Sequence, residues 1–195
     1  MPRSGEDARR RLRDAALELF RERGYDATTT AEIAARAGVT ERTFFRHFRD
    51  KREALFDGET TLRDALTDGV LSAPAHLAPM AALIWAFRSV EQMLLDNRAF
   101  STPRQAIIAS SPALQERVLM KTAGLVGALA EALRRRGVEA PLASLAAHTA
   151  MAAFNYAAAA WFEDPAMALD AHLTRAFEQL SALSSPVHER DPGAR

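Results

Sequence analysis

Apolar residues recur at helical spacing along nearly the whole chain, and no segment sustains a period of two, so the sequence specifies an all-α protein. Caps, prolines and glycines delimit the helices. Ser4 and Asp7 form a capping pair ahead of a first segment whose Leu12, Ala15, Ala16, Leu19 and Phe20 fall on one stripe, and Gly24 is placed to stop it. Thr29-x-x-Glu32 opens a short second helix with Ile33, Ala34 and Ala37 inward. Gly38-Val39 turns the chain, and Thr40 caps a third helix carrying Phe44 and Phe48. Asp50-x-x-Glu53 caps a fourth, expected to run to about Leu71. A fifth is expected over about 79–97, and a sixth from Thr102-Pro103-x-Gln105 with proline at its first position. A seventh runs from Ser111-Pro112 to Arg134-Arg135-Arg136-Gly137, where cations meet the negative helix end. An eighth spans Pro141 to Glu163, and a ninth, capped by Asp164-Pro165, runs to about Leu183.

That makes about nine helices, divided into a helix-turn-helix unit over 1–50, a helical-bundle body over 51–183 and a polar, disordered tail over 184–195. Leu142 to Phe162 has no charged residue and is long enough to span a bilayer. It is mostly alanine, however, and Ser144, His148, Thr149, Asn155 and Tyr156 oppose insertion. A helix buried in protein is the better reading, with no membrane partner. There is no cysteine, which excludes disulfides and thiolate metal sites. The arginine- and acid-rich start leaves no room for a signal-peptide core, and a cytoplasmic location is expected.

Net charge is zero, with 25 basic and 25 acidic residues, but its distribution is uneven. Between Glu41 and Arg52 stand Arg42, Arg46, Arg49, Lys51 and Arg52 against two acids, and Arg9, Arg10, Arg11 and Arg13 form a second basic run. The first cluster begins within the segment Thr29–Phe48 and continues just past it. Two short capped helices joined by a glycine turn are the geometry that presents a second helix to the major groove of DNA. With Phe44 set inward, Phe48 lies about 40° away, while Arg42 and Arg46 lie at about 160° and 200°. The phenylalanines therefore anchor the helix, and the two arginines project outward, where a guanidinium can bond guanine O6 and N7. Thr43 and Phe45 flank that face, the first able to reach a base or phosphate and the second a thymine methyl. Thr29 and Thr40 sit at helix starts suited to phosphate oxygens, and Lys51 is placed as a phosphate clamp. His47 lies near the core side, where packing and phosphate contact are both open to it.

These residues resemble the N-terminal domain of the TetR/AcrR family of bacterial regulators. Over residues 8–56 the likeness runs through Ala16 to Phe20, Gly24-Tyr25, Thr28-Thr29, Ile33-Ala34, Ala37-Gly38-Val39-Thr40, Thr43, Phe44, His47-Phe48 and Lys51. One position departs: the family usually has tyrosine where Phe45 stands, and its hydroxyl binds a backbone phosphate, a bond phenylalanine cannot make. The resemblance implies a homodimer joined through its last two long helices, binding a double-stranded palindromic operator. It further implies a small-molecule effector held among the helices between.

The remainder of the chain is compatible with both. Ala143, Ala146, Ala147, Ala150, Ala153, Ala157 and Ala160 allow close helix approach, and the last helix offers Leu169, Leu173, Phe177, Leu180 and Leu183. Polar or aromatic residues on apolar helices are the candidate effector contacts: Trp85, Arg88, Gln92, Met93, His148, Phe154, Asn155 and Tyr156. Ordinary core packing is the alternative for each, and Arg88 can pair with Glu91. His148 stands apart from other ligand types, so no metal is expected, and no cofactor. The sequence has no nucleotide loop, nucleophile elbow or paired carboxylates, which argues against an enzyme. The expected function is a ligand-responsive regulator, most simply a repressor released by an apolar or amphipathic effector. A helical adaptor that has lost DNA binding is the alternative.

Overall fold

The computed structural model describes residues 3–164 and 166–184. The tail beyond Ser184 and Pro165 of the expected last cap lie outside the described residues, and Ser184 itself closes the last helix. Among the described residues there are eleven helices and no strand. They are α1 (Arg3–Arg23), α2 (Thr30–Arg36), α3 (Glu41–His47), α4 (Lys51–Leu55), α5 (Glu59–Ser72), α6 (Pro79–Ser89), α7 (Glu91–Asp96), α8 (Arg98–Ala109), α9 (Pro112–Arg135), α10 (Ala140–Glu163) and α11 (Leu169–Ser184).

Nine have seven residues or more. The two short extras arise where longer helices were expected. Gly58, in the left-handed region at φ 87°, separates α4 from α5, and Val90 separates α6 from α7. Three start signals also need correction. Ser4 lies inside α1, and Pro103 lies inside α8, which begins five residues earlier at Arg98. The Asp164 carboxylate accepts from the Ala166 N–H at 3.1 Å, a local turn, and α11 begins only at Leu169.

The apolar residues form two cores. The head core joins Leu12, Ala16, Leu19 and Phe20 of α1 to Ile33, Phe44, Phe48 and Leu55, and is closed by Phe100, Ile107 and Leu114 of α8 and α9. It includes Phe56, so by packing α4 belongs with α1–α3. The body core is built around α10, whose Ala143, Ala147, Ala150 and Ala157 are buried and let the long helices approach closely. Across α10, Phe87 of α6 stacks on Phe154 at 4.6 Å between ring centroids. Arg136 closes the C-terminal end of α5, donating to the carbonyls of Val70 at 3.1 Å and Pro74 at 2.8 Å. No helix among the described residues is long and apolar enough to cross a membrane.

Helix α5 approaches α6 closely at Gly69. A Cβ there would stand 2.9 Å from Ala86 Cα and 2.8 Å from Ser89 Oγ, whereas at Gly124 in α9 it would meet nothing within 4 Å. Both glycines are helical, so alanine gains about 1 kcal/mol of helix propensity at either. At Gly69 forced separation, costing about 1–3 kcal/mol, outweighs that gain. Gly69→Ala is therefore expected to lower, and Gly124→Ala to raise, the denaturation midpoint in urea.

Candidate nucleic-acid interface and ligand cavity

Local hydrogen bonds fix the geometry of the head. Gly24, at φ 85°, ends α1, and its N–H donates to Phe20 O. Buried Thr28 donates to Gly24 O at 2.8 Å. The Thr29–Glu32 capping box is complete: Thr29 Oγ1 accepts from Glu32 N, and Glu32 Oε2 accepts from Thr29 N at 2.9 Å. That backbone bond is the main reason the Glu32 carboxyl sits below its usual pKa. Gly38, at φ 68°, makes the turn, which Arg11 braces by donating to Ala37 O at 3.0 Å. Thr40 caps α3, and Thr30 Oγ1 reaches back to Glu41 at 2.6 Å, tying α2 to α3.

On α3 the expected faces are realised. Phe44 and Phe48 are buried, Arg42 and Arg46 are exposed, and neither arginine's side chain has a hydrogen-bond or ion-pair partner among the described residues. Phe45 is 53% exposed, its ring edge-on to Phe44, and so stands beside the two arginines on the outside. Thr43 is half-buried and shares a hydrogen bond with Thr40 Oγ1 at 3.0 Å. The Thr29 and Thr40 hydroxyls are thus engaged in capping. Arg49, exposed just beyond α3, extends the basic edge.

Two expected contacts turn inward. Lys51 donates to the carbonyls of Tyr25, Thr28 and Asp26 at 2.7, 2.8 and 3.2 Å and lies 4.4 Å from the Tyr25 ring centroid. All three ammonium hydrogens are used, so Lys51 holds the α1–α2 loop rather than reaching outward as a clamp. The Nε2 of His47 is buried without a partner. Desolvation first, then Arg46 and Arg9, lowers its pKa, which favours a neutral, packed imidazole. The basic run of α1 is likewise internal bracing. Arg9 pairs with Asp57 and covers the Phe48 ring, Arg13 covers Phe100, and Arg10 pairs with Asp7.

A second feature lies in the body, a cavity of about 380 Å³ between α8, α9 and α10, closed toward the head by Phe56. Of the expected effector contacts, Phe154 and Asn155 line it. The other six lie elsewhere; for Trp85 and Arg88 the reason is that Ala82, Leu83, Ala86 and Phe87 take the inward face of α6. Trp85 is 46% exposed, Arg88 pairs with Asp170 of α11, and Gln92 donates to Asp96. Met93 is half-buried on α7, and its carbonyl accepts from Asn97. His148 is exposed, its Nδ1 2.8 Å from Ser144 O, and Tyr156 faces out from α10 beside α11. No group of three metal-type ligands occurs among the described residues.

Two cavity residues absent from the expectation are Arg104 and Lys121. Arg104 Nη1 donates to Leu55 O, in the last turn of α4, at 2.9 Å, and its Nε is buried and unpartnered. Burial lowers the pKa of both, that of Lys121 to about 8, with Arg104 adding repulsion. Each sits on an apolar stripe: Arg104 between Phe100 and Ile107, Lys121 between Val118 and Leu125. A charge at helical spacing within an apolar stripe was the signal available in the sequence.

Comparison with known proteins agrees with this architecture. Residues 12–57 match the family profile "Bacterial regulatory proteins, tetR family", and residues 77–184 match the "MftR C-terminal domain". The chain belongs to the TetR family of DNA-binding transcriptional regulators. It is 32% identical over 141 residues to the regulator TcmR of Streptomyces glaucescens, a match covering 67% of this chain and 62% of that protein. This chain thus spans less than two-thirds of the relative's length. Its fold is similar to Thermus thermophilus FadR, solved with lauroyl-CoA (TM-score 0.58, 24% identity, 95% of this chain and 100% of that one). It is also similar to SmeT of Stenotrophomonas maltophilia in complex with triclosan (TM-score 0.63, 21% identity, 90% of each chain).

Two stability measurements test these assignments. Lys51→Met, which leaves three carbonyls without their donor, should cost about 2 kcal/mol in chemical denaturation. Unchanged stability would mean that the ammonium does not brace the loop. Lys121→Met should stabilise the protein at pH 7 by on the order of 1–2 kcal/mol, because it removes a buried cation without a counter-ion. With the folded pKa at about 8 and the unfolded near 10.4, the unfolded chain binds more protons between those values. Wild-type stability then rises through that window, and the gap between the two proteins should close as pH increases.

Proposed function

We propose that this chain is a ligand-responsive repressor that binds a palindromic operator as a homodimer and leaves it when an effector fills the α8–α10 cavity. The observation that carries the reading is the contrast among the head's arginines. Arg9, Arg11, Arg13, Arg23, Arg36 and Arg52 are bonded within the molecule, while Arg42 and Arg46 stand exposed and unpartnered on one face of the capped α3. Outward guanidiniums on a rigid helix are suited to bidentate bonds with guanine edges, with Phe45 and Thr43 beside them for thymine methyl and backbone contacts. Thr29 and Thr40, their hydroxyls engaged, would meet phosphates through the exposed amides of the helix starts.

Dimerisation through α10 and α11 is supported by the apolar side chains this face leaves exposed, Leu145, Tyr156 and Leu183 among them. Ligand response and repression are carried over from the relatives, of which FadR is described as a repressor in complex with lauroyl-CoA and SmeT as a repressor of an efflux pump. A route for coupling is available. Arg104 both lines the cavity and holds the end of α4, and Arg117 of α9 pairs with Glu59 at the start of α5 at 2.6 Å. A ligand that binds better to a form with these contacts rearranged would shift the spacing of the two heads away from the operator.

The test is a gel shift with the purified protein on DNA flanking its own gene. Salt-sensitive, sequence-specific binding is expected, and its absence would sink the proposal. On a cognate site, Arg42→Ala and Arg46→Ala should each cost about 1–3 kcal/mol and relax base preference locally. Operator affinity unchanged in both variants would show that α3 presents a different face.

A further inference from the structure

The charge carried by the α8–α10 cavity is not balanced by its walls. Most of the lining is aliphatic or aromatic, including Leu94, Ile108, Leu125, Met151, Phe154 and Trp161. Two cationic side chains enter it, Arg104 and Lys121, and no Asp or Glu lines it among the described residues. Arg104 has a single acceptor, the neutral carbonyl of Leu55, and its buried Nε has none. Lys121 has no hydrogen-bond acceptor among the described residues; its ammonium lies 6.0 Å from the centroid of the Phe56 ring. Glu59, whose charge favours the ammonium, is held by Arg117 at 2.6 Å.

Burying cations without a counter-ion is costly, and two in one apolar cavity repel each other. Folding returns only the Arg104–Leu55 bond and the ring contacts with Phe56 for that arrangement, whereas an incoming anion would satisfy both groups. We propose that the cavity takes an amphipathic anion, its carboxylate or phosphate head held by Arg104 and Lys121 and its apolar body against Phe154 and Trp161. Gln105, Thr122 and Asn155 stand on the same walls as further polar partners for the head. A volume of about 380 Å³ is at the small end of ligand pockets and suits one compact ligand. With a pKa of about 8, Lys121 is still mostly protonated at neutral pH, so the anion meets a cation. The inference rests on reading this cavity as the effector site.

The experiment titrates the full-length protein, without DNA, with decanoate, decyl phosphate and 1-decanol below their micelle or solubility limits. Binding is read by calorimetry and by the fluorescence of Trp161, which lines the cavity. At least one anion should bind one per chain and at least tenfold more tightly than the alcohol, and the tighter of the two identifies the head group. Lys121→Met removes no hydrogen bond and should fold. It should lose that preference while binding decanol as well as the wild type does, and Lys121→Arg should retain it. Failure of both anions to bind, equal binding of acid and alcohol, or a preference that survives Lys121→Met would each overturn the assignment. Operator release is measured separately. Anion preference without release would refute the regulatory reading and leave the ligand class standing.

Discussion

The position of the reading head depends on how the end of α4 is held against the body. A helix of five residues has almost no internal ladder, so its last carbonyls need donors from elsewhere. Arg104 supplies one at Leu55 O. The next residue, Phe56, is buried, with the guanidiniums of Arg104 and Arg117 at 5.7 and 5.3 Å from its ring centroid. Gly58 then takes a left-handed conformation that a side chain would resist, and α5 leaves in a new direction. Arg9–Asp57 on the head side and Arg117–Glu59 on the body side flank the same corner. The junction therefore adds directional bonds at this corner to the apolar packing of the head core on Phe100, Ile107 and Leu114.

Zero net charge and a DNA-reading head are reconciled by how the arginines are used. A long-range attraction to phosphate needs excess positive charge, and this head has little. Its arginines instead brace the scaffold: Arg36 bridges Glu18 and Glu22, Arg23 meets Glu32, and Arg11 secures the turn. Those bonds fix the angle at which α3 is presented. The side chains of Arg42, Arg46 and Arg49 have no hydrogen-bond or ion-pair partner among the described residues and share one edge, so the positive charge offered there is local. Such a head favours sequence reading over non-specific adhesion to DNA.

The parts of the fold that are local in sequence were legible there. The Thr29–Glu32 box, the Thr40 cap and the glycines at 24, 38 and 137 each act within a few residues, and the period of α3 placed Arg42 and Arg46 opposite Phe44. The break at Gly58 was not legible, because a glycine within a continuous helical pattern reads as a tolerated one. The cavity was hidden for a related reason. Choosing polar and aromatic residues on apolar helices selects Trp85 and Arg88, but α6 turns Ala82, Ala86 and Phe87 inward, and only tertiary packing decides that rotation. Lys51 looked like a surface cation because the carbonyls that bind it lie more than twenty residues earlier in the chain.

Arg104 joins the two ends of the proposed mechanism, because its guanidinium borders the cavity and caps α4. An anion in the cavity competes with the Leu55 carbonyl for the same group, and a charged acceptor is the stronger one. Drawing the guanidinium toward the cavity removes a donor from the last turn of α4 and loosens the corner that sets the head. Linkage makes the effect reciprocal: DNA that holds α4 in its capped position must weaken anion binding by the factor that the anion weakens DNA binding. The unpartnered Nε of Arg104 is consistent with a group held between two demands, with one hydrogen bond made to the head and one left for the ligand.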